Sequence, residues 1–443
     1  MIKILKSSRL STKRQQLWLA GLLSLLAYGY LCWKSQAYGQ AGLDDLLISS
    51  IVAFLASVFV WNLMRNYELP ILDVLVFAVA FRIVGLFTFP VLEDDFYRYL
   101  WDGFVAFEHG NPYDTAPSQW FIRDVPVVVE GLLDTINYPD IATVYGPSLQ
   151  WLFAFSYWIA PAELWPLKCL LFVADMALIF ILLRLAPARH IVLYAWSPLV
   201  IKEFVITMHP DLIGVTLLFG ALLAYRTRSD ISMGVLLALA AGVKVFALVI
   251  VPFLLLLRWK AWLGFALTVI AISLPFGLFS AWVPEGLTVM GQAWLFNAVL
   301  YELFGPFLSF SALKIALLIL FIVFGGAYGL RWLLNYWQAD SPRDLPRGDI
   351  LFALLLIVLP VFNAWYMVWL LPFAVIRPSA WAWMASFALL LSYGSAINLP
   401  AGLGASLQDY QLPTWLLCLE FGLIMVALAW DFSRRAGPIK PAL

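Results

Sequence analysis

The chain has 443 residues, of which 63% are hydrophobic and only 12% charged. Soluble domains sit nearer half apolar and a quarter charged, so this composition excludes an ordinary soluble globule and reads as all-α and polytopic, a single integral membrane domain over 1–443. Lys plus Arg equals Asp plus Glu at 27 each, a balance that gives no electrostatic footprint for nucleic acid.

A helix needs roughly 20 apolar residues to cross the hydrocarbon. On that ruler, spans are expected at about 17–33, 46–64, 71–90, 146–161, 167–186, 190–206, 211–226, 231–257, 262–280, 310–333, 350–376, 380–398 and 414–432, about 13 in all, several of them short or broken. Residues 1–16 carry Lys3, Lys6, Arg9, Lys13 and Arg14 and no acid, which by the positive-inside rule keeps the N-terminus cytoplasmic. The apolar run Leu17 to Trp33, ahead of "SQA", exceeds the roughly 7–15 residues of a signal-peptide core, so a retained helix is expected.

Parity through the first three spans puts residues 91–143 outside. There ten acids face only Arg98 and Arg123. The segment opens "VLEDDFYRYLWDG", Val91 to Gly103. A helix over 93–109 would carry Asp95, Arg98 and Asp102 on one face, and a stripe of Phe96, Leu100, Phe104 and Phe107 suited to lie along the membrane interface. "HGNPYDTAP" ends it with turn chemistry. Three adjacent carboxylates repel one another. Alone they read as a solvated helix N-terminus, where acids suit the macrodipole. With Tyr97, Arg98, Tyr99 and Trp101 close by and Asn111, Pro112 and Tyr113 at the helix exit, the mixture suits a polar, ring-shaped ligand.

Farther along, ionisable residues interrupt apolar spans, where they are expensive and therefore suspected of function. Ion pairing is the competing reading: Asp175 with Arg82 or Arg184, and Lys202 with Glu203. Lys244 has no acid along its own helix and needs a partner from another span or an anionic ligand. "HPD", His209 to Asp211, pairs an imidazole with a carboxylate, but His109 and His190 lie elsewhere, so a contact to phosphate or sugar is expected rather than a dedicated zinc site. Of 146–161, 167–186 and 190–206, one is expected not to cross fully. Breaks are expected near Lys244 and at Pro360 with "FNAWY", where Asn363, Trp365 and Tyr366 offer aromatic faces for an interfacial belt or for stacking on a ligand. Arg331, Arg343 and Arg347, and Arg434, Arg435 and Lys440, suggest cytoplasmic ends. Cys32, Cys169 and Cys418 fall within apolar spans and read as packing residues.

The order of an acidic pair after an early span, then "YRYLWDG", "GNPY", "VYGP", "HPD", an intramembrane lysine and "AWYMVWLLP" resembles the GT-C superfamily of polyprenyl-phosphate-sugar-dependent glycosyltransferases, in its bacterial mannosyltransferase-like branch. The resemblance spans about residues 71–376. It implies an enzyme of the cytoplasmic membrane with its active site on the extracytoplasmic side. A hexose, mannose first among them, would pass from polyprenyl phosphate to a lipid-linked or cell-surface glycan, with membrane lipids as surroundings. Asp94 or Asp95 would be the general base and Glu93 its modulator. Tyr97, Arg98, Trp101, Asp102, Asn111, Tyr113, Tyr145, Trp365 and Tyr366 would shape the sugar pocket, and His209, Asp211 and Lys244 the phosphate side. The chain departs from the commonest pattern in having two extra spans before the acidic helix, and "EDD" leaves the base unassigned. A divalent cation, Mg or Mn, stays open. One base without an evident second nucleophile favours single displacement with inversion. The rival readings are a transporter or lipid flippase and a non-enzymatic membrane scaffold.

Overall fold

The computed structural model describes residues 2–37, 41–256, 258–277, 280–338, 344–399 and 410–435; Arg343 and Lys440 lie outside them. The regular structure of the described residues is entirely helical, their one extended pairing being an isolated bridge between Phe296 and Val361.

Helices α1 (Ile2–Ala37), α2 (Leu43–Asn66) and α3 (Ile71–Phe87) form an up-down-up hairpin stack. Arg14 pairs with Asp73 at 2.6 Å at one end, where Lys13 also lies over the Tyr67 ring, and Gln36 donates to the Phe87 carbonyl at the other. The loop carrying Glu93 therefore emerges at the end opposite Arg14. Helix α4 (Asp95–Phe104) follows and runs into a π-turn at Val105–His109, so the expected 93–109 helix forms two residues late. Its apolar stripe does not face the membrane interface. Phe96, Leu100 and Phe104 are buried, and only Phe107 is exposed, because α5 (Val127–Leu133) and α6 (Pro147–Ile159) pack over them. A Cβ on Gly103 would lie 2.6 Å from the Phe153 carbonyl oxygen, so the close approach of α4 to α6 requires the glycine of "WDG".

Helix α7 (Leu164–Leu185) runs back beside α3. Lys168 donates to the Gly85 and Thr88 carbonyls, capping the C-terminal end of α3. At mid-length Arg82 meets Asp175 at 2.7 Å, with Tyr194 donating to the same carboxylate; both members of the pair are fully buried. That is one of the pairings expected for Asp175.

Of the three uncertain spans, only 167–186 lies in a helix long and apolar enough to cross; 146–161 holds a helix of 13 residues, and 190–206 is broken. It folds as α8 (Val192–Ala195), α9 (Pro198–Val200) and a π-helical stretch, Ile201–Ile206. Every residue from Ile191 to Leu212 is buried, so this apolar stretch reads like a span because it fills the protein core. The chain then turns by 115° into α10 (Asp211–Arg226), and "HPD" sits at the turn. Met208 at φ 63° and Pro210 make the bend.

Helix α11 (Asp230–Val243) stops at Lys244, and the chain continues through a 3-10 turn into α12 (Val251–Leu255) and α13 (Trp259–Ser273). The outer helices are α14 (Glu285–Ala293), α15 (Val299–Phe304) and α16 (Phe310–Gln338). Next, α17 (Gly348–Val358) and α18 (Leu371–Ile376) flank the irregular segment that holds Asn363 and Trp365, before α19 (Ala380–Ala388) and α20 (Thr414–Arg435). The breaks expected at Lys244 and Pro360 are both present.

Six helices among the described residues are long and apolar enough to cross a membrane, with a seventh if the bent pair around "HPD" is one span. The thirteen apolar stretches are thus not thirteen unbroken helices. Several are short half-helices whose ends meet inside the protein, the arrangement that irregular backbone at membrane depth requires.

Candidate active site

Those interrupted ends converge. The 91–95 loop, α4, the 137–147 segment, the start of α10, Lys244 and the 363–366 segment enclose a cavity of about 700 Å³. Of the residues expected at the site, Glu93, Asp94, Asp95, Tyr97, Arg98, Tyr145, Asp211, Lys244, Trp365 and Tyr366 line it. His209 is buried against it, its ring stacked on Trp365 at 3.9 Å and 12°. A ligand atom of His209 lies within 4.8 Å of carboxylate oxygens of Glu93 and Asp95.

The register that assembles these pieces depends on another glycine contact. A Cβ on Gly146 would sit 2.2 Å from the Gly242 carbonyl oxygen. Backbone packing at "VYGP" thereby holds the end of α11, and with it Lys244, against the start of α6.

Lys244 meets Asp211 at 2.9 Å, so the partner it lacks on its own helix comes from "HPD". Its ammonium lies 3.6 Å from the centre of the Tyr366 ring, and Trp369 Nε1 holds the same Asp211 oxygen at 2.8 Å. Arg98 pairs with Asp102 at 2.8 Å, and Lys202 with Glu203 at 3.2 Å. Each of these three cations is matched by a carboxylate, whereas Glu93, Asp94 and Asp95 form no salt bridge among the described residues.

Asp94 is exposed to the cavity, and one of its oxygens accepts from Asn137 Nδ2. Enclosure, then the charge of Asp95, pushes its carboxyl above the ordinary range, with the Asn137 bond pulling the other way. Enclosure and the Asp95 charge hold Glu93 well above that range. Asp95 is also raised by enclosure, against the opposing fields of Arg98 and Lys244.

Besides His209, which sits behind Trp365, four expected residues are not in the cavity wall. Trp101 is turned into the protein against Phe104 and Trp120. Asp102 is buried, accepting from Arg98, Thr143 and Gln150, so it orients Arg98 and ties α4 to the loop. Asn111 holds the turn through the Tyr113 N–H, and the Tyr113 hydroxyl donates to the Tyr145 carbonyl at 2.7 Å. These residues brace the wall. The sequence gives no sign of Asn137 or of Tyr393, whose single hydroxyl proton lies between Glu203 Oε2 at 3.1 Å and Glu93 Oε1 at 3.4 Å. Neither carries a local signal. Glu203 did stand out as an intramembrane acid, but only as the partner of Lys202.

The arrangement suits a polar ring held against Trp365 and Tyr366, with a carboxylate on one wall and an ammonium and a guanidinium on others. A family model described as alpha-(1->6)-mannopyranosyltransferase, N-terminal domain, of the MptA_B family, matches residues 22–260. That match covers the acidic loop, "HPD" and Lys244. Comparisons with curated proteins and with solved structures each give no match.

Proposed function

Because the chain belongs to the alpha-(1->6)-mannopyranosyltransferase family, and is therefore a glycosyltransferase of the membrane, we propose that it moves mannose from a polyprenyl phosphate donor to a hydroxyl at C6 of a lipid-linked or surface glycan. The observation that carries this reading is the convergence of Asp94, Lys244 and Trp365, from segments far apart in sequence, on one cavity.

Asp94 is the base in this reading. It is the member of "EDD" most open to the cavity, and Asn137 fixes its carboxylate. The acceptor hydroxyl gives its proton to Asp94 as its oxygen bonds to the anomeric carbon. The bond from that carbon to the phosphate oxygen breaks, and the electron pair leaves with the phosphate, which needs no proton. A carboxylate so placed contributes typically about 10²–10⁴-fold. Lys244 has three N–H donors and gives one to Asp211, so it retains donors for the leaving phosphate. One face is attacked as the other is vacated, giving inversion.

The cavity opens outside the cytoplasm in this reading. Helices α3, α7 and α10 have their cavity-side ends at Phe87, Leu164 and Asp211, while Arg184 and Arg226 stand in the last turns of α7 and α10 and Arg14 pairs with Asp73 in the first turn of α3, all at the far side. Clustered arginine belongs on the cytoplasmic side.

The test is transfer by purified protein from polyprenyl-phosphate mannose, glucose and arabinose, with linkage analysis of the product. Mannose transferred to C6 is expected. Transfer of another sugar in preference to mannose, or attachment at a secondary hydroxyl, would count against the reading.

A further inference from the structure

We infer that Glu93, Asp95 and His209 form a binding site for one divalent cation, of the Mn²⁺ or Zn²⁺ class, in the floor of the cavity. Three observations lead there independently.

The first is the tautomer of His209. Its Nδ1 lies 3.1 Å from Glu203 Oε2 and 3.2 Å from the Glu203 carbonyl, and Thr207 Oγ1 is 3.2 Å away. An Nδ1–H donated to Glu203 leaves a lone pair on Nε2, and that atom is buried with no hydrogen-bond partner. A buried imidazole with one nitrogen held by a carboxylate and the other free is the geometry by which proteins orient a metal-ligating histidine. Stacking on Trp365 fixes the ring plane.

The second is what that ring approaches. Ligand atoms of Glu93, Asp95 and His209 all lie within 4.8 Å of one another. Donors bound to one ion at roughly 2.1 Å sit about 3–3.6 Å apart, so small rotations of the two carboxylates close the set on a cation. The third is charge. Arg98, Lys202 and Lys244 are each paired with a different carboxylate, at 2.8, 3.2 and 2.9 Å, and neither Glu93 nor Asp95 has a salt-bridge partner among the described residues. Two carboxylates confined together are stabilised by a cation, and an imidazole in the set favours Mn²⁺ or Zn²⁺ over Mg²⁺. Three protein ligands leave positions open toward the cavity, where phosphate oxygens of a donor fit.

This deepens the mannosyl-transfer reading of the same cavity, and its test contains no sugar donor, so one can fail without the other. Full-length protein in detergent is stripped with a chelator. Mn²⁺ is then titrated in, with loss of the free-ion electron paramagnetic resonance signal as the readout, and Zn²⁺ is followed by calorimetry. One ion per chain is expected for the wild type, with affinity weakened at least about tenfold in both Glu93→Gln and His209→Gln. The wild-type titration decides whether the site exists: binding of neither ion overturns the proposal. Binding that is equally tight in the two variants overturns the ligand assignment.

Discussion

Asp94 and Asp102 stand eight positions apart on and before one short helix, yet their replacement by asparagine should fail in different ways. Asp94→Asn is expected to lower transfer about 10²–10⁴-fold while the protein keeps its melting temperature, since Asp94 is exposed and makes no salt bridge. Asp102→Asn is expected to cost roughly 3–5 kcal/mol of stability, read as a lower melting temperature, because it strands the Arg98 guanidinium it holds at 2.8 Å in a buried setting. The sequence made both acids conspicuous, and the family resemblance put Asp102 in the sugar pocket, whereas the structure makes it a brace for Arg98. Helical spacing shows which residues share a face, but which face meets the cavity depends on α6 packing against Gly103. Lys244 was legible as a charge needing a partner from elsewhere; that the partner is Asp211, 33 positions earlier, follows only from the fold. His209 and the acidic loop meet across more than a hundred residues, so no local pattern announces their meeting.

At the scale of elements, the site depends on helices that stop. Helix α11 ends at Lys244, and α17 ends before Asn363. Both breaks are marked in the sequence, by a charge in an apolar run and by Pro360 with polar neighbours. The contact that sets α11 against α6 is unmarked, because a glycine in a membrane helix has many uses. Gly146→Ala places a methyl group where the Gly242 carbonyl now sits, and should cost about 1–3 kcal/mol in thermal stability. The same displacement moves Lys244, so transfer should fall with it even in protein that remains folded at the assay temperature. Unchanged stability and rate in that variant would show that the two helices part without consequence. That 190–206 is the broken member of its trio could not be told for a related reason: hydropathy measures burial in something apolar, and the interior of this protein serves as well as lipid.

For the whole molecule, the acidic loop and the arginine-rich helix ends lie at opposite extremes of the helix stack. All-helical architecture was readable from composition, while the number of full crossings was not, since half-helices and whole ones share a hydropathy; the charge pattern gives the external placement of the loop as an expectation that labelling can test. Ile122 is 93% exposed in that loop, and Ile122→Cys in intact cells should react with a membrane-impermeant maleimide added outside. Protection until the membrane is breached would invert the topology and place the cavity on the cytoplasmic side. The most direct test of the central claim compares wild type and Asp94→Asn, purified to equal amounts, in transfer from polyprenyl-phosphate mannose. Mannose transfer by the wild type, reduced at least about a hundredfold in the variant, is the expected result. Transfer by the variant at the wild-type rate, or none by the wild type, would contradict it.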